Sequence, residues 1–170
     1  MINIDSYSKS NKMQNAAFVQ LKNPDTDELS VTKDGEKVGF ELFSIQSKEF
    51  KRAMRLTADI ALTKKEQEKH KKVSDWINEG TKPSLENLDF LDECEDKITK
   101  RMQRVFAMVI KRLHHIELSD KDAESIGVKI NKDNSVKVDV ENIHNLFIAL
   151  PDLSSQIGDA IADRQNFINA

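Results

Sequence analysis

Ile98, Met102, Val105, Phe106, Val109 and Leu113 recur at the ~100° spacing of one helix face within the run Ser84–Leu118, the strongest periodic signal in the chain. Ser84 supplies a hydroxyl N-cap for this run. Carboxylates (Glu86, Asp89, Asp92, Glu93, Glu95, Asp96) fill its first half and cations its second, the order that the helix macrodipole favours. The pattern predicts one long amphipathic helix. Such a stripe must be buried against other elements, so the rest of the chain has to supply a covering layer.

Upstream, the runs AAFVQLK, DELSVTK and EKVGFELF read as strands. They are separated by the turn cluster Asn23-Pro24-Asp25 and by Asp34-Gly35. A hairpin alone is marginal in water, so its apolar face needs a helical neighbour. Ser47 is placed to cap a helix whose Phe50, Ala53, Met54, Thr57, Ala58 and Ala61 share a face. The charged run Thr63–Lys72 continues that helix into solvent, and Val73, Trp76 and Ile77 restore an apolar face before Gly80–Pro83 ends it. Downstream, Asp120–Ile126 adds a helical turn and VKINKDNSVKV a second short hairpin. Asp139 caps a helix carrying Ile143, Leu146, Phe147 and Leu150. Pro151 breaks it and opens the last helix, with Leu153, Ile157, Ile161, Arg164 and Phe167.

The fold class predicted is α+β and mostly helical. A small N-terminal antiparallel β-hairpin or meander precedes long amphipathic helices, a second short hairpin and two C-terminal helices. Residues 1–15 read as a mobile arm. Residues 16–170 read as a single α-rich domain, with the β-hairpin region over 16–45, long helices over 46–118, and the short hairpin and helix pair over 119–170.

Composition narrows function. The 170 residues are 38% hydrophobic and 32% charged, against roughly 45–50% and 25% in average globular domains. That predicts one modest core and long solvated helical faces. No run approaches the ~20 apolar residues of a membrane span, and Met1–Asn15 lacks the apolar stretch of a secretory signal. One cysteine excludes an intramolecular disulfide and suits a reducing compartment.

Catalytic and metal chemistry find little to use. Cys94 lies in DECED, where carboxylates oppose a thiolate. His114 and His115, if helical, point ~100° apart and cannot chelate together, and Glu66–His70 is a salt-bridge spacing; His144 has no partner pattern. No phosphate-binding glycine motif occurs. The reading is therefore non-enzymatic, without metal or cofactor. Two binding readings stand beside the plain ones. Lys97, Lys100, Arg101, Arg104, Lys111 and Arg112 gather on one face of the long helix, an electrostatic footprint for nucleic acid that the net charge of −3 and the absence of interleaved aromatics oppose. Met54, Met102 and Met108 suit an adaptable protein-binding groove, Met108 falling by phase on the basic face.

The C-terminal run DVENIHNLFIALPDLSSQIGDAIADRQNFINA resembles the ending of tail assembly chaperones of long-tailed, siphovirus-type bacteriophages. The matching residues are Glu141-Asn142, the break Pro151–Ile157, and Ala162–Ile168. Asn23–Thr26 followed by FELFSIQSKEFKRA is similar to the family's strand and helix start. The likeness runs loosely from Phe18 to Phe167 and is specific over the C-terminal stretch. The family's middle-helix tryptophan has no counterpart in MVIKRLHHIEL; Trp76 lies earlier.

The resemblance implies a non-catalytic morphogenesis factor of the host cytoplasm, absent from the mature virion. It would keep the tape measure protein soluble and assist assembly of the tail tube protein around it, and the homo-oligomer common in the family is implied as well. Helix-in-groove recognition fits such a task. The apolar positions at the Pro151 break, Ile143, Phe147, Leu150, Leu153 and Ile157, are the candidate partner contacts, together with Met108. The alternative is a small nucleic-acid-binding or regulatory phage factor using the basic face over 97–112.

Overall fold

The apolar stripe of the long segment outlasts its helix. A computed structural model describes residues 16–163, and in it the helix stops at Val109 and the chain passes straight into a strand. In order, the elements are β1 (Ala16–Gln20), β2 (Gly39–Phe43), α1 (Lys48–Leu56), a 3-10 turn (Ala58–Ile60), α2 (Lys64–Asn78), α3 (Leu85–Val109), β3 (Ile110–His114), α4 (Asp120–Ser125), α5 (Val140–Ala149) and α6 (Pro151–Ala162). The α+β, largely helical class predicted from the sequence is the one found. The N-terminal arm over 1–15, and Arg164 and Phe167 of the last apolar stripe, lie outside the described residues.

The predicted helix to Leu118 is corrected by sheet pairing. β2 is the central strand of an antiparallel sheet ordered β1-β2-β3. Ala17 pairs with Leu42 and Val19 with Phe40 on one side; Phe40 pairs with Leu113 and Glu41 with Arg112 on the other. Without β3, the second edge of β2 would expose a row of backbone donors and acceptors beside the core. Pairing satisfies them, and a shift in register between Glu41 and Leu42 brings Ile110 opposite Leu42. Local helix propensity differs among these residues by only tenths of a kcal/mol, too little to compete.

Gly39 is required by close approach. A Cβ there would run into the Val19 carbonyl oxygen and the Phe18 ring, which lies across the glycine. Of the three predicted N-terminal runs, the first and third form β1 and β2. The middle one makes only isolated bridges, Lys22 with Leu29 and Val31 with Lys37.

The first long helix is also shorter than its spacing suggested. Ser47 does cap α1, its Oγ accepting from Phe50 N at 3.0 Å, but α1 ends at Leu56. A capping box restarts the chain: Thr63 Oγ1 accepts from Glu66 N while the Glu66 carboxylate accepts from Thr63 N. A strong N-cap fixes a boundary that apolar periodicity cannot see. The other caps fall where the sequence put them, at Ser84 (accepting from Asn87 N, 3.3 Å) and Asp139 (accepting from Asn142 N, 2.9 Å), with Pro151 in the first turn of α6.

The described residues divide into two compact units, one from the segments before Leu56 and after Met102, the other Leu56–Met102. In the first, Phe40, Leu42, Val105, Val109, Ile143, Leu146, Phe147 and Ile157 are fully buried. The Phe40 and Phe147 rings meet at 6.4 Å between centroids. Burying each such side chain contributes ~1.5–3 kcal/mol. In the second unit Val73 and Cys94 are buried, and Lys69 lies over the Phe90 ring at 4.1 Å. The short second hairpin holds the bridge Ile130–Val136, and a bridge Glu117–Ser135 ties it to the segment after β3. No helix of the described residues is long and apolar enough to cross a membrane.

Candidate interaction surfaces

Around the Pro151 break, the helix-spaced stripe is the core rather than a surface. Ile143, Phe147 and Ile157 are fully buried, so as folded they have nothing to offer a partner. The reason is general: the apolar positions that recur at i, i+3, i+4 are those a helix turns inward. Leu153 and Met108 are half-buried. Leu150, which sits between the two helices at φ −128° and ψ 74°, outside helical geometry, is 41% exposed, and Ile148, two residues before it, is 57% exposed. Ile148 escaped the sequence reading because it breaks the stripe; an apolar residue out of phase was the available signal.

The basic face is tied down within each unit. In the second unit Lys97 bonds to Glu66, Lys100 to Asp96 and Arg101 Nε to the buried hydroxyl of Thr57 at 3.3 Å. In the first, Arg104 pairs with Glu141, and Lys111 and Arg112 converge on Glu41. The hydrogen bond from Lys97, with those from Thr63, holds the Glu66 carboxyl down to about 2, and Glu66 in turn raises Lys97. Glu41 is lowered by its bond to Lys111. An ion pair near the surface contributes little to stability, ~0–1 kcal/mol, but each occupies a cation that a phosphate would need.

The thiol of Cys94 is buried, and burial followed by the nearby Glu66 carboxylate pushes its pKa up, the reverse of an activated nucleophile. Burial and Arg104 lower the pKa of His144. His114 and His115, predicted on a helix, instead end β3 and begin the following bend. His115 takes a left-handed φ of 56° and approaches Glu36 at 3.3 Å. His114 packs its ring edge-on to Phe18 at 5.1 Å, with Nε2 3.9 Å from Glu41. Phe18, Lys37, Glu41, His114 and His115 line an open groove of about 510 Å³ on the outer face of the sheet. Among the described residues no group of three or more His, Cys, Asp or Glu side chains is placed to hold a metal ion.

A second groove, about 260 Å³, lies between β1 and α6. There the Gln156 amide accepts from Lys22 N at 2.8 Å and donates to Lys22 O at 3.0 Å. A side chain thus takes the place of a neighbouring strand and closes the edge of the sheet beyond β1.

In the second unit, α2 and α3 form an antiparallel pair, set by Glu66–Lys97 at one level and Lys69–Phe90 at the next. Val73, Phe90 and Cys94 lie between the helices. Leu88 and Ile98 fall on one flank of α3 and remain 39% and 42% exposed, with Leu91 between them half-buried. Ile77 of α2 is 38% exposed. No protein-family model, curated protein or solved structure matches the chain.

Proposed function

We propose that this protein is a tail assembly chaperone of a long-tailed bacteriophage, acting by protein–protein binding without catalysis. It binds and solubilises the tape measure protein in the host cytoplasm and assists assembly of the tail tube protein around it, and it leaves before the virion matures. The reading is supported by the likeness of Asp139–Ala170 to the ending of that family. It is carried by one observation: within that stretch, at the Pro151 break, Ile148 and Leu150 stay on the surface while the rest of the stripe packs inward. Exposed apolar side chains at a helix junction suit capture of an amphipathic helix.

The nucleic-acid alternative needs unpaired cations on residues 97–112. Each of the six it would use has an anionic or hydroxyl partner within its own unit. Co-expression with the tape measure protein tests the proposal. Retention of a soluble complex through purification is the expected result. A tape measure protein that stays insoluble and does not co-purify would overturn it.

A further inference from the structure

The two-helix unit Leu56–Met102 carries an apolar face that stays partly exposed. α2 and α3 run antiparallel, so flanks that follow their mutual contact in the same rotational sense lie on the same side of the pair. Val73 marks the contact on α2 and Cys94 on α3, both buried. Ile77 lies four residues beyond Val73, and Ile98 four beyond Cys94, each about 40° further round its helix. Leu91 and Leu88 continue the α3 flank toward the tip, and the pairing of Lys69 with Phe90 places Ile77 near that end. Counted from Cys94, Leu91 stands about 60° and Leu88 about 120° round α3, so Ile77, Leu91 and Ile98 form one strip across both helices with Leu88 at its outer edge.

On α3 the charge beside this strip has a single sign. From Leu85 to Asp96 α3 contains Glu86, Asp89, Asp92, Glu93, Glu95 and Asp96 and no cation. Asp92 and Glu95 are the i+4 neighbours of Leu88 and Leu91, on the side turned away from α2. Asp96 is held by Lys100, whereas among the described residues no ion pair engages Asp89, Asp92, Glu93 or Glu95. The contrast with the cations of 97–112, all of them partnered, is sharp.

We propose that the strip Ile77, Leu88, Leu91 and Ile98, bordered by Asp92 and Glu95, docks one amphipathic helix of another protein that carries Lys or Arg along the edge of its apolar stripe. The apolar strip accepts the stripe, and the carboxylates select its border. A second copy is the poorer occupant, because two such strips laid face to face bring their own carboxylates together. The inference rests on the protein-binding reading above and adds to it the face and the chemistry of the partner helix.

The test uses the full chain and two labelled synthetic peptides of about 18 residues, five helical turns. Both have the same leucine stripe, one bordered by lysine and the other by glutamate. Fluorescence anisotropy is expected to show the lysine-bordered peptide binding on the order of tenfold more tightly or better, with Ile98→Asp removing about as much. Asp92→Lys with Glu95→Lys should reverse the preference between peptides. Leu29→Asp, which adds the same charge at an exposed position of the first unit, should leave binding unchanged. Equal binding of the two peptides, or wild-type affinity in Ile98→Asp, overturns the proposal. So does a concentration-dependent doubling of mass in light scattering that Ile98→Asp abolishes, since the face is then filled by a second copy. Failure of the wild-type chain to retain the tape measure protein counts against the proposed function alone. Retention by wild type and Ile98→Asp equally counts against this face alone.

Discussion

The side-chain amide of Asn142 completes the backbone of Lys129. Its Oδ1 accepts from Lys129 N, and its Nδ2 donates at 2.8 Å to Lys129 O and, again at 2.8 Å, to Lys137 O. Asn142 is buried at the start of α5, so this one residue fastens the second hairpin to the C-terminal helices. Replacing it with leucine takes this partner from Lys129 N and Lys137 O, each loss costing about 1–3 kcal/mol where water cannot reach, while Lys129 O keeps the bond from Lys137 N. Asn142→Leu is expected to lower the urea midpoint at unchanged slope.

Gly39 and Gly35 separate steric from conformational roles. Gly39→Ala drives a methyl into the Val19 carbonyl and the Phe18 ring where the central strand begins and should cost more than about 2 kcal/mol or prevent folding. Gly35 has φ +82° with open space around it, so Gly35→Ala should cost only about 1 kcal/mol. Chemical denaturation of the two variants checks the order, and equal effects would contradict the packing described.

The C-terminal stripe should divide by burial. Phe147→Ala is expected to lose about 3–5 kcal/mol, because a fully buried ring is removed beside Phe40. Ile148→Asp should change stability by no more than about 0.5 kcal/mol while weakening partner retention. Thermal melts and co-purification, read on the same two variants, separate core from surface.

Acid should weaken the second unit through Glu66. Its folded pKa, about 2, is depressed below a glutamate's ordinary 4.5 by the bonds from Lys97 and Thr63. A depressed carboxylate contributes stability that is present above its unfolded pKa and is lost as pH falls through the folded one. The loss therefore falls between pH 4.5 and about 2. Glu66→Gln removes the capping carboxylate and should flatten that part of the pH profile of helical ellipticity.

Cys94 should react with a thiol reagent slowly in the native protein and promptly in urea. Burial both shields the sulfur and raises its pKa, so the thiolate is scarce until the helices separate. Rapid native labelling would show that α2 and α3 open readily.

Local signals carried much of the fold. Ser47, Ser84 and Asp139 announced helix starts because an N-cap is written in one side chain and a few backbone donors. Pro151 announced a break for the same reason of short range. The face that a helix buries was also legible, as Ile143, Leu146 and Phe147 illustrate. That very legibility misdirected the search for contacts, since periodicity marks what is turned inward.

The sequence by itself determined where helices begin, which stripe each one buries, and the segregation of charge along residues 84–112. Only the tertiary structure decided that Ile110–His114 is a strand, because the reason lies in the unpaired edge of β2, some seventy residues away. It likewise decided that the cations of 97–112 are occupied while, among the described residues, no ion pair engages Asp89, Asp92, Glu93 or Glu95. Pairing depends on Glu66, Glu41 and Glu141, carboxylates far off in the chain, and distance in space is not encoded in spacing along it.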